Sequence, residues 1–468
     1  MPKTIFYTQN LHLDSGEIVP GSVACTPRKP LEVYPGERLS DSIALEDHIH
    51  IALGRVDPHV HFRESYTPSR REFESDPVDG NGNYDDLVKA INSANSAYDA
   101  YRGSLAALKG GVSMVGAMGN TPWGPKGLSR WIKTSQLYIE TSCVEVHVFP
   151  RADPDVSPIG HHESKDFAST FGGKGLTPEQ RRKMYFAHKG QRMSYHNDQA
   201  RAEETIADFA RRVNCEPYML HHLYFDGDTV LASQRETIAL AREAGLRSLL
   251  TRHIPTGAAL NMVIQEMQEG DLELLAEIGL DYLYFNRDML KERGTSMINY
   301  RRPALPSKED QEELIEIIKS LSQKEFFIAS DHAPHPKSAK GFKNGLPGSP
   351  GTRILEHSHQ IHMNLIHNHG FTYQDIDLFT AINPAIYLAQ FRDFGYPVGT
   401  MTTGAMANLV VFDPFCPYRV DEQILAEQLA DPEYHTAYRD EKLKGKVLFT
   451  VVDGKVYDVR ENITPVNL

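Results

Sequence analysis

The segment GRVDPHVHFRE contains two histidines, His59 and His61, separated by a single residue. Side chains two positions apart on a β-strand point to the same face, so both imidazoles can reach one metal ion. Imidazole nitrogens are frequent ligands of Zn²⁺. An isolated pair of this kind is more often a pair of hydrogen-bonded core histidines, so a metal site requires further ligands elsewhere in the chain.

Three other apolar segments end in residues of the same kind. Asp331, in SDHAPH, follows the run FFIA, and His196, in YHND, follows RMSY. The adjacent histidines His221 and His222 lie within PYMLHHLYF. A carboxylate such as Asp331 can both bind a metal and carry a proton. Any one of these residues could be a hydrogen-bonded core residue, but their occurrence at four predicted strand ends favours a shared metal site.

Such a site requires several strands that end at one place. Between residues 55 and 394, short apolar runs alternate with amphipathic stretches. The runs predicted as strands are VSMVGAM, VEVHVF, RMSYH, PYMLHHLYF, LRSLLTR, YLYF and EFFIASD. The stretches predicted as helices are Asp85–Lys109, Pro178–His188, Ala200–Val213, Thr229–Ala244, Lys308–Leu321 and Thr352–Asn368. This alternation predicts an α/β fold, a (βα)8 TIM-like barrel over residues 55–394, with functional residues at the carboxyl ends of its strands.

The two ends of the chain have a different pattern. Residues 1–54 and 395–468 contain short β segments, among them TIFYTQ, GEIVPGSVA, NLVVFDP and KVLFTVVDGKVYD. The Asp-Gly pair in the last of these is a hairpin signal. We expect both termini to form one small β-sandwich subdomain beside the barrel. The polar segment 64–84 follows the first predicted barrel strand and is either a loop of the active face or a disordered insertion.

Composition and charge exclude several classes of partner. The 468 residues have a net charge of −13, which repels nucleic acid. No apolar run reaches the ~18 residues of a membrane span, and the first residues lack the apolar segment of a signal peptide. The cysteines show no metal-binding or disulfide spacing, and they are Cys25, Cys143, Cys215 and Cys416. These features predict a cytoplasmic protein with reduced thiols.

Several motifs together resemble one group of enzymes. DPHVHFRE is similar to the first-strand signature of dihydroorotases, hydantoinases and allantoinases, and SDHAPH resembles the last metal-ligand strand of dihydroorotases. GGVSMVGAMGNTP is similar to the GGVTT…MPNTxP strand and loop of the family. TAINPA and GTMTTGAMANLVVFDP resemble the end of the barrel and the return to the small sheet. The resemblance covers residues 50–460 and implies a cyclic-amide hydrolase of the amidohydrolase superfamily, most similar to dihydroorotases.

The resemblance also implies two divalent metal ions bridged by an N-carboxylated lysine. Lys165, in HHESKDF, stands at the matching distance before the helix-like segment that precedes His196, and Lys174, in GGKG, is the alternative. NCEPYMLHHLYF is similar to the family's NCPLYIVHVS, which matches His221 to a ligand, with His222 as the alternative. The implied ligands are His59, His61, Lys165 and Asp331 for one metal, and Lys165, His196 and His221 for the other.

These groups suit hydrolysis of an amide. A neutral, buried lysine can capture carbon dioxide, and two cations stabilise the resulting carbamate. The donor set is most compatible with zinc and also accepts cobalt or manganese. The resemblance implies that a hydroxide bridging the metals attacks the amide, and that Asp331 moves its proton to the leaving nitrogen.

Three further residues indicate the substrate. Arg63 lies two residues after His61, so a continued strand would direct its guanidinium toward the metals, where it could hold a carboxylate bidentately. Asn120, in GNT, and His335, the last residue of SDHAPH, match residues that hold the substrate carboxylate in dihydroorotases. The resemblance therefore implies reversible hydrolysis of L-dihydroorotate to N-carbamoyl-L-aspartate, a step of pyrimidine biosynthesis, by a homodimer.

Other interpretations remain open at the level of sequence. Arg63 could form a structural salt bridge with Glu64 or Glu72, and Asn120 could cap a turn. The chain also departs from the family in MGNTP, where a glycine loosens the turn, and in TRHIPTGAALN, where the pocket wall is expected to differ. A hydantoinase, dihydropyrimidinase or allantoinase would use the same metals, although relatives of these kinds generally lack an arginine at position 63. A non-catalytic homologue is a further alternative.

Overall fold

The structure is a computed structural model that describes the greater part of the chain, in several separate segments. These are residues 3–62, 100–118, 138–139, 141–149, 194–195, 219–220, 229–243, 248–292, 303–322, 324–335, 340, 342–343, 346–347, 351–432, 434–439 and 441–466. Several predictions lie outside these residues. They concern Arg63, Asn120, Lys165, Lys174, His196, Cys215, His221, His222, segment 64–84, and the helices over 178–188 and 200–213.

The largest sheet combines segments from both ends of the chain. Its strands are β1 (Thr4–His12), β2 (Ile18–Cys25), β3 (Glu32–Pro35), β4 (Ile43–Ala44), β5 (His50–Leu53), β16 (Leu409–Arg419), β17 (Lys442–Val452), β18 (Lys455–Asp458) and β19 (Thr464–Pro465). Their order in the sheet is β19-β18-β17-β16-β5-β1-β2-β3, with β4 beside β1. The central pairing of β5 with β16 is antiparallel and joins the N-terminal strands to the C-terminal strands.

The hairpin predicted from Asp453-Gly454 is confirmed. The two residues connect β17 to β18, which pair antiparallel. Both have positive φ, 45° for Asp453 and 76° for Gly454, as a two-residue hairpin turn with right-handed twist requires.

The middle of the chain forms parallel strands. They are β6 (Arg55–Val60), β7 (Val112–Ala117), β8 (Glu145–Val148), β9 (Ser194–Tyr195), β10 (Met219–Leu220), β11 (Ser248–Ile254), β12 (Glu273–Gly279) and β13 (Phe326–Ala329). One parallel sheet has the order β6-β7-β8, and another has the order β13-β12-β11-β10-β9. A parallel bridge between Val60 and His332 brings the end of β6 to the residues that follow β13.

Helices and short turns lie between and after these strands along the chain. The α-helices are Ala100–Lys109, Thr229–Glu243, Gly257–Glu269, Arg287–Glu292, Lys308–Lys319, Ser358–His369, Tyr373–Asp377, Asn383–Ala389 and Glu422–Gln428. Thr256 and Ser307 cap two of the helices by accepting a backbone N–H, and Gly370 ends a third in the left-handed conformation. Phe342–Lys343 (β14) and Leu346–Pro347 (β15) form a separate hairpin. No helix among the described residues could cross a membrane.

Two sequence-based expectations for this region were wrong. The run YLYF was expected to be a strand, but it overlaps a 3-10 helix, Leu280–Leu283, and the strand is Glu273–Gly279 immediately before it. A short apolar run does not distinguish a buried strand from a buried helical turn. The helix expected from Thr352 begins at Ser358 instead, because Thr352 pairs with His332 and Leu355–His357 is a separate 3-10 turn.

Both faces are buried in the parallel strands whose side chains the structure describes, which are β6, β7, β8, β11, β12 and β13. Neighbouring residues alternate between two apolar clusters: Val115, Leu249, Leu274 and Ile328 belong to the large cluster that includes residues of the covering helices. Met114, Leu250, Leu275 and Phe327 meet one another and Tyr387 of helix Asn383–Ala389. This alternation follows from the two-residue period of a strand and explains why these strands have few polar positions.

Several histidines outside the parallel strands β6 to β13 are buried. Burial lowers the pKa of His50 and of His357 to about 3, and it lowers the pKa values of His359 and His362 well below 6.5. Neither ring nitrogen of His359 has a hydrogen-bond partner within the part of the chain that the structure describes. These histidines are therefore neutral in the folded protein at pH 7.

We predict that the free energy of unfolding decreases as the pH falls from 7 toward 4. Between the depressed folded pKa values and the ordinary value of 6.5, the unfolded chain binds more protons, so acid favours unfolding. Each such histidine contributes a slope of up to about 1.4 kcal/mol per pH unit. Urea unfolding at several pH values should show a smaller slope for His359→Leu than for the wild type. His48→Leu, at an exposed position, is the control. Equal slopes for His359→Leu and the wild type would contradict the prediction.

Candidate metal centre

Three histidines converge on the carboxylate of Asp331. The Nε2 atoms of His59 and His61 lie 3.3 and 2.9 Å from Oδ1 of Asp331. The Nδ1 atom of His253 lies 3.2 Å from Oδ2. All four residues are buried. The arrangement thus places three imidazole nitrogens around one buried carboxylate.

These residues meet because each is carried at the carboxyl end of a parallel strand. His59 lies in β6, His61 directly follows that strand, and His253 lies in β11. Asp331 follows β13 by two residues. Functional side chains in parallel α/β folds gather at this end of the strands, where loops leave the sheet.

Irregular backbone aims two of the side chains. The pairing of β11 with β12 shifts register between Thr251 and Ile254, where β11 contains one extra residue. His253 lies in this bulge with φ of 54°, and Asp331 has φ of 50°. Left-handed backbone is uncommon for residues other than glycine and costs of order 1–3 kcal/mol when the surroundings impose it. The two residues in contact across the site both adopt this conformation.

A similar irregularity occurs at His59. The pairing of β6 with β7 shifts register between Asp57 and Val60. Gly116 of β7 accommodates the displaced chain, since a Cβ atom at this position would lie 2.4 Å from the carbonyl oxygen of Pro58. A side chain at position 116 would therefore push β6 away and move His59.

Asp57 ties the ends of β6 and β13 together. Its Oδ1 accepts the backbone N–H of His59 at 3.1 Å, and both carboxylate oxygens lie 3.2 Å from the backbone nitrogen of Ser330. Burial raises the pKa of Asp57 to about 7, against the effect of these hydrogen bonds. Because Asp57 bonds to the residues next to Pro58 and Asp331, it fixes the separation of the histidine pair from Asp331.

His332 supports the site through its backbone and its ring. Its carbonyl oxygen accepts the N–H of His61 at 2.7 Å. Its Nδ1 accepts the N–H groups of Ile354 and Leu355 at 3.2 and 3.1 Å. The side chain of His332 therefore fastens the loop after β13, while its neighbour Asp331 faces the other histidines.

Glu277 contacts the opposite side of the His59 ring. Its Oε1 lies 2.6 Å from Nδ1 of His59, and its Oε2 lies 3.7 Å from Nε of Arg252. Burial opposes ionisation of this carboxyl, but His59 and Arg252 outweigh it and lower the pKa of Glu277 to about 2. Burial, together with Arg252, lowers the pKa of His59 to about 3 despite the neighbouring carboxylates.

Asp331 is ionised as well. Burial alone would raise the pKa of this carboxyl, but the nearby His253 and His59 and the hydrogen bonds from His253 and His61 hold it well below 3.8. At neutral pH the site therefore contains neutral His59 between the carboxylates of Glu277 and Asp331. Neutral imidazoles and carboxylates are the protonation states that bind metal ions.

Proteins named dihydroorotase resemble this chain in sequence. The chain is 25% identical over 428 residues to a dihydroorotase from Streptococcus pyogenes, covering 87% of each chain. It is 27% identical over 383 residues to a dihydroorotase from Geobacillus sp., covering 76% of this chain and 81% of the relative. No protein-family model matches the chain.

Solved structures of two kinds share the fold. A dihydropyrimidinase from Brevibacillus agri superposes with a TM-score of 0.69 at 14% identity, covering 99% of this chain and 96% of the other. An L-hydantoinase from Arthrobacter aurescens gives 0.69 at 17% identity, covering 99% and 98%. The resemblance to dihydroorotases and related cyclic amidohydrolases is confirmed. At these identities the solved structures show a common fold and nothing finer.

The structure places four of the residues predicted for the site. His59, His61 and Asp331 lie together, as the strand-end argument expects. His335, four residues after Asp331, is half-buried and lies beside Gly351. The other predicted site residues lie outside the described residues, and they are Arg63, Asn120, Lys165, His196 and His221.

His253 and Glu277 were not identified from the sequence. His253 belongs to TRHIPTGAALN, which was expected only to alter the pocket wall, yet it contacts Asp331. The available signal was its place at the end of the apolar run LRSLLTR, the same pattern that identified His196. Glu277 offered no comparable signal, because its strand, ELLAEIG, was not recognised.

The donor set fits a divalent metal ion of the cyclic amidohydrolases. One ligand atom from each of His59, His253 and Asp331 can be chosen so that all lie within 4.8 Å of one another. His61 contacts the same carboxylate oxygen as His59. Mixed imidazole and carboxylate ligands suit zinc and neighbouring transition metals. Burial of the group also favours a bound cation, since it would offset the charges of Asp331 and Glu277.

We predict that His253→Asn removes a direct ligand of the metal and therefore weakens zinc binding strongly. The loss in affinity should exceed the roughly 10- to 100-fold loss that follows removal of an outer-shell residue. Asparagine tolerates the left-handed backbone at this position, so the change removes the imidazole with little added strain. Competition with a chromophoric chelator gives the affinity. His48→Asn, on the surface, should bind zinc like the wild type, and wild-type affinity in His253→Asn would exclude His253 as a ligand.

Proposed function

We propose that this protein is a dihydroorotase, which hydrolyses the cyclic amide of L-dihydroorotate reversibly to N-carbamoyl-L-aspartate. The observation that carries the proposal is the buried cluster of His59, His61, His253 and Asp331 at the carboxyl ends of parallel strands. The sequence relatives named dihydroorotase support the choice of substrate.

The proposed scaffold is a (βα)8 barrel over residues 55–394, with a β-sandwich subdomain built from residues 1–54 and 395–468. The consecutive parallel strands β6 to β13 and the bridge between Val60 and His332 support the barrel. The sheet that joins β5 to β16 supports the subdomain. We also propose that the metal is zinc, that the protein is a homodimer located in the cytoplasm, and that the reaction belongs to pyrimidine biosynthesis.

In this proposal His59, His61, Asp331 and the bridging Lys165 would hold one divalent cation, and His253 is an additional candidate ligand. Lys165, as a carbamate, His196 and His221 would complete a second position, as the resemblance to dihydroorotases implies. His253 lies near the end of β11, the strand that follows β10, so it is also a candidate for one of the histidine places of that position. Bound divalent cations would acidify water and polarise the scissile carbonyl group.

The side chains divide the remaining chemistry among them. Asp331 would accept the proton of the attacking hydroxide on a carboxylate oxygen and deliver it to the leaving amide nitrogen, a role that its ionised state permits. Arg63, Asn120 and His335 would hold the carboxylate of the substrate and so orient the ring. A guanidinium makes paired, charge-assisted hydrogen bonds to a carboxylate, which discriminates against rings that lack one.

A sibling activity is the principal alternative. The dihydropyrimidinase and hydantoinase structures share the fold, so an uncarboxylated ring is a candidate substrate. Arg63 disfavours this alternative, since it would have no carboxylate to bind. A non-catalytic homologue is disfavoured because the described cluster keeps three histidines and a carboxylate in contact.

Substrate identity can be tested directly. The zinc-loaded protein is incubated separately with L-dihydroorotate, hydantoin, dihydrouracil and allantoin, and ring opening is followed. We expect turnover of L-dihydroorotate alone. Turnover of an uncarboxylated ring would refute the carboxylate pocket and keep the metal-dependent mechanism. Metal-loaded protein that opens none of these rings would favour the non-catalytic homologue.

We predict that Arg63→Ala reduces kcat/KM for L-dihydroorotate by roughly 10- to 100-fold, because a charge-assisted hydrogen bond contributes about 1.5–3 kcal/mol. The zinc content should stay that of the wild type. Arg460→Ala, which removes an exposed arginine paired with Asp458, is the matched control. Wild-type kcat/KM in Arg63→Ala would show that the arginine does not bind the substrate.

A further inference from the structure

The two ring nitrogens of His59 face different carboxylates. Nδ1 lies 2.6 Å from Oε1 of Glu277, and Nε2 lies 3.3 Å from Oδ1 of Asp331. A neutral imidazole has one N–H donor and one lone-pair acceptor, so only one nitrogen can donate. The shorter contact places the proton on Nδ1, where Glu277 accepts it. The lone pair of Nε2 is then directed toward Asp331 and the metal position.

Glu277 is held in place from its other side. It is 1% exposed, and its strand is flanked by β11 and β13. Its Oε2 forms an ion pair with Nε of Arg252, which is also buried. Arg252 in turn donates from Nη1 to Sδ of Met118 at 2.9 Å, and its guanidinium lies 5.8 Å from the ring centre of Phe149. Arg252 therefore contacts Glu277, and Glu277 contacts His59, so that the three residues form a continuous line of contacts ending at the site.

Packing alone does not account for this arrangement. Moving a carboxylate and a guanidinium out of water costs several kcal/mol per ion, and apolar residues of similar size often give equal or greater stability. The neighbouring strand positions Leu275, Phe327 and Leu250 are apolar. A buried ion pair such as Arg252–Glu277 among apolar residues is expected where it orients a functional group.

We propose that Glu277 is a positioning residue of the metal centre: it accepts the Nδ1 proton of His59 and so fixes the ring and its tautomer, with Arg252 holding the carboxylate. Metal-bound histidines commonly donate their second N–H to a carboxylate, and loss of that partner weakens metal binding. This inference rests on the proposed function only in assuming that His59 binds a metal.

The tautomer of His59 is a direct test in the metal-free, full-length protein. Ring nitrogens of ¹⁵N-histidine that carry a proton are distinguished by chemical shift from those that do not, and the signals of His59 are assigned by their loss in His59→Gln. We expect a protonated Nδ1 and an unprotonated Nε2. A proton on Nε2 would overturn the proposal, and this measurement requires no variant of Glu277.

Zinc affinity is the second test. In Glu277→Gln, the charge is removed and the side chain keeps its size, so we expect a 10- to 100-fold weaker zinc affinity and loss of the uniform Nδ1–H tautomer. Glu441→Gln is the matched control, since Glu441 is a buried carboxylate that accepts the hydroxyl of Tyr284 at 2.8 Å outside the centre. A general effect of losing a buried charge would weaken zinc binding in both variants.

The outcomes separate the two proposals. If Glu277→Gln binds zinc as tightly as the wild type, Glu277 is not a positioning residue, whatever the substrate. If the wild type binds no zinc, the proposed function fails, while the tautomer measurement still decides the arrangement of His59 and Glu277. Should Glu277→Gln fail to fold, the wild-type tautomer alone decides the inference.

Discussion

The site depends on the contact between β6 and the segment that follows β13. Val60 bridges to His332, and the N–H of His61 donates to the carbonyl oxygen of His332. These contacts join residues more than 270 positions apart and bring the histidine pair to Asp331. Without them, the two parallel sheets would lose a direct backbone connection, and the four donor groups would have no common centre. Asp57 reinforces the same junction by accepting N–H groups from both sides.

The electrostatics of the centre follow from this proximity. Ionised Asp331 and Glu277 are both buried, which is unfavourable unless cations or hydrogen-bond donors surround them. His253, His61 and Arg252 supply part of that compensation. A divalent cation would supply more, so metal binding and the stability of the folded strand ends should be coupled. The left-handed backbone of His253 and Asp331 is strain of the kind that such a centre can hold.

The surrounding protein braces the loop after β13. Asp281, at the start of the turn after β12, accepts the hydroxyls of Thr352 and Tyr438 at 2.7 Å. Tyr438 belongs to the C-terminal segment, which lies between β16 and β17 of the large sheet. The segment that carries Asp331 and Thr352 is therefore fixed from the sheet side as well as from the parallel strands. The segment that connects β16 to β17 therefore helps to position the centre.

Local sequence patterns were sufficient to identify three of the donors, His59, His61 and Asp331. His59 and His61 could be assigned because two-residue spacing on a strand is independent of the rest of the fold, and Asp331 because it follows a short apolar run. The Asp453-Gly454 hairpin was predictable for the same reason, since its signal is local. His253 and Glu277 were decided by tertiary structure: a one-residue bulge turns His253 inward, and Glu277 acquires its role only when β12 lies where its side chain reaches His59, 218 positions earlier. Local spacing encodes which side of a strand a residue occupies, but the partner that it meets across the sheet depends on how distant strands are registered, and only the folded chain sets that register.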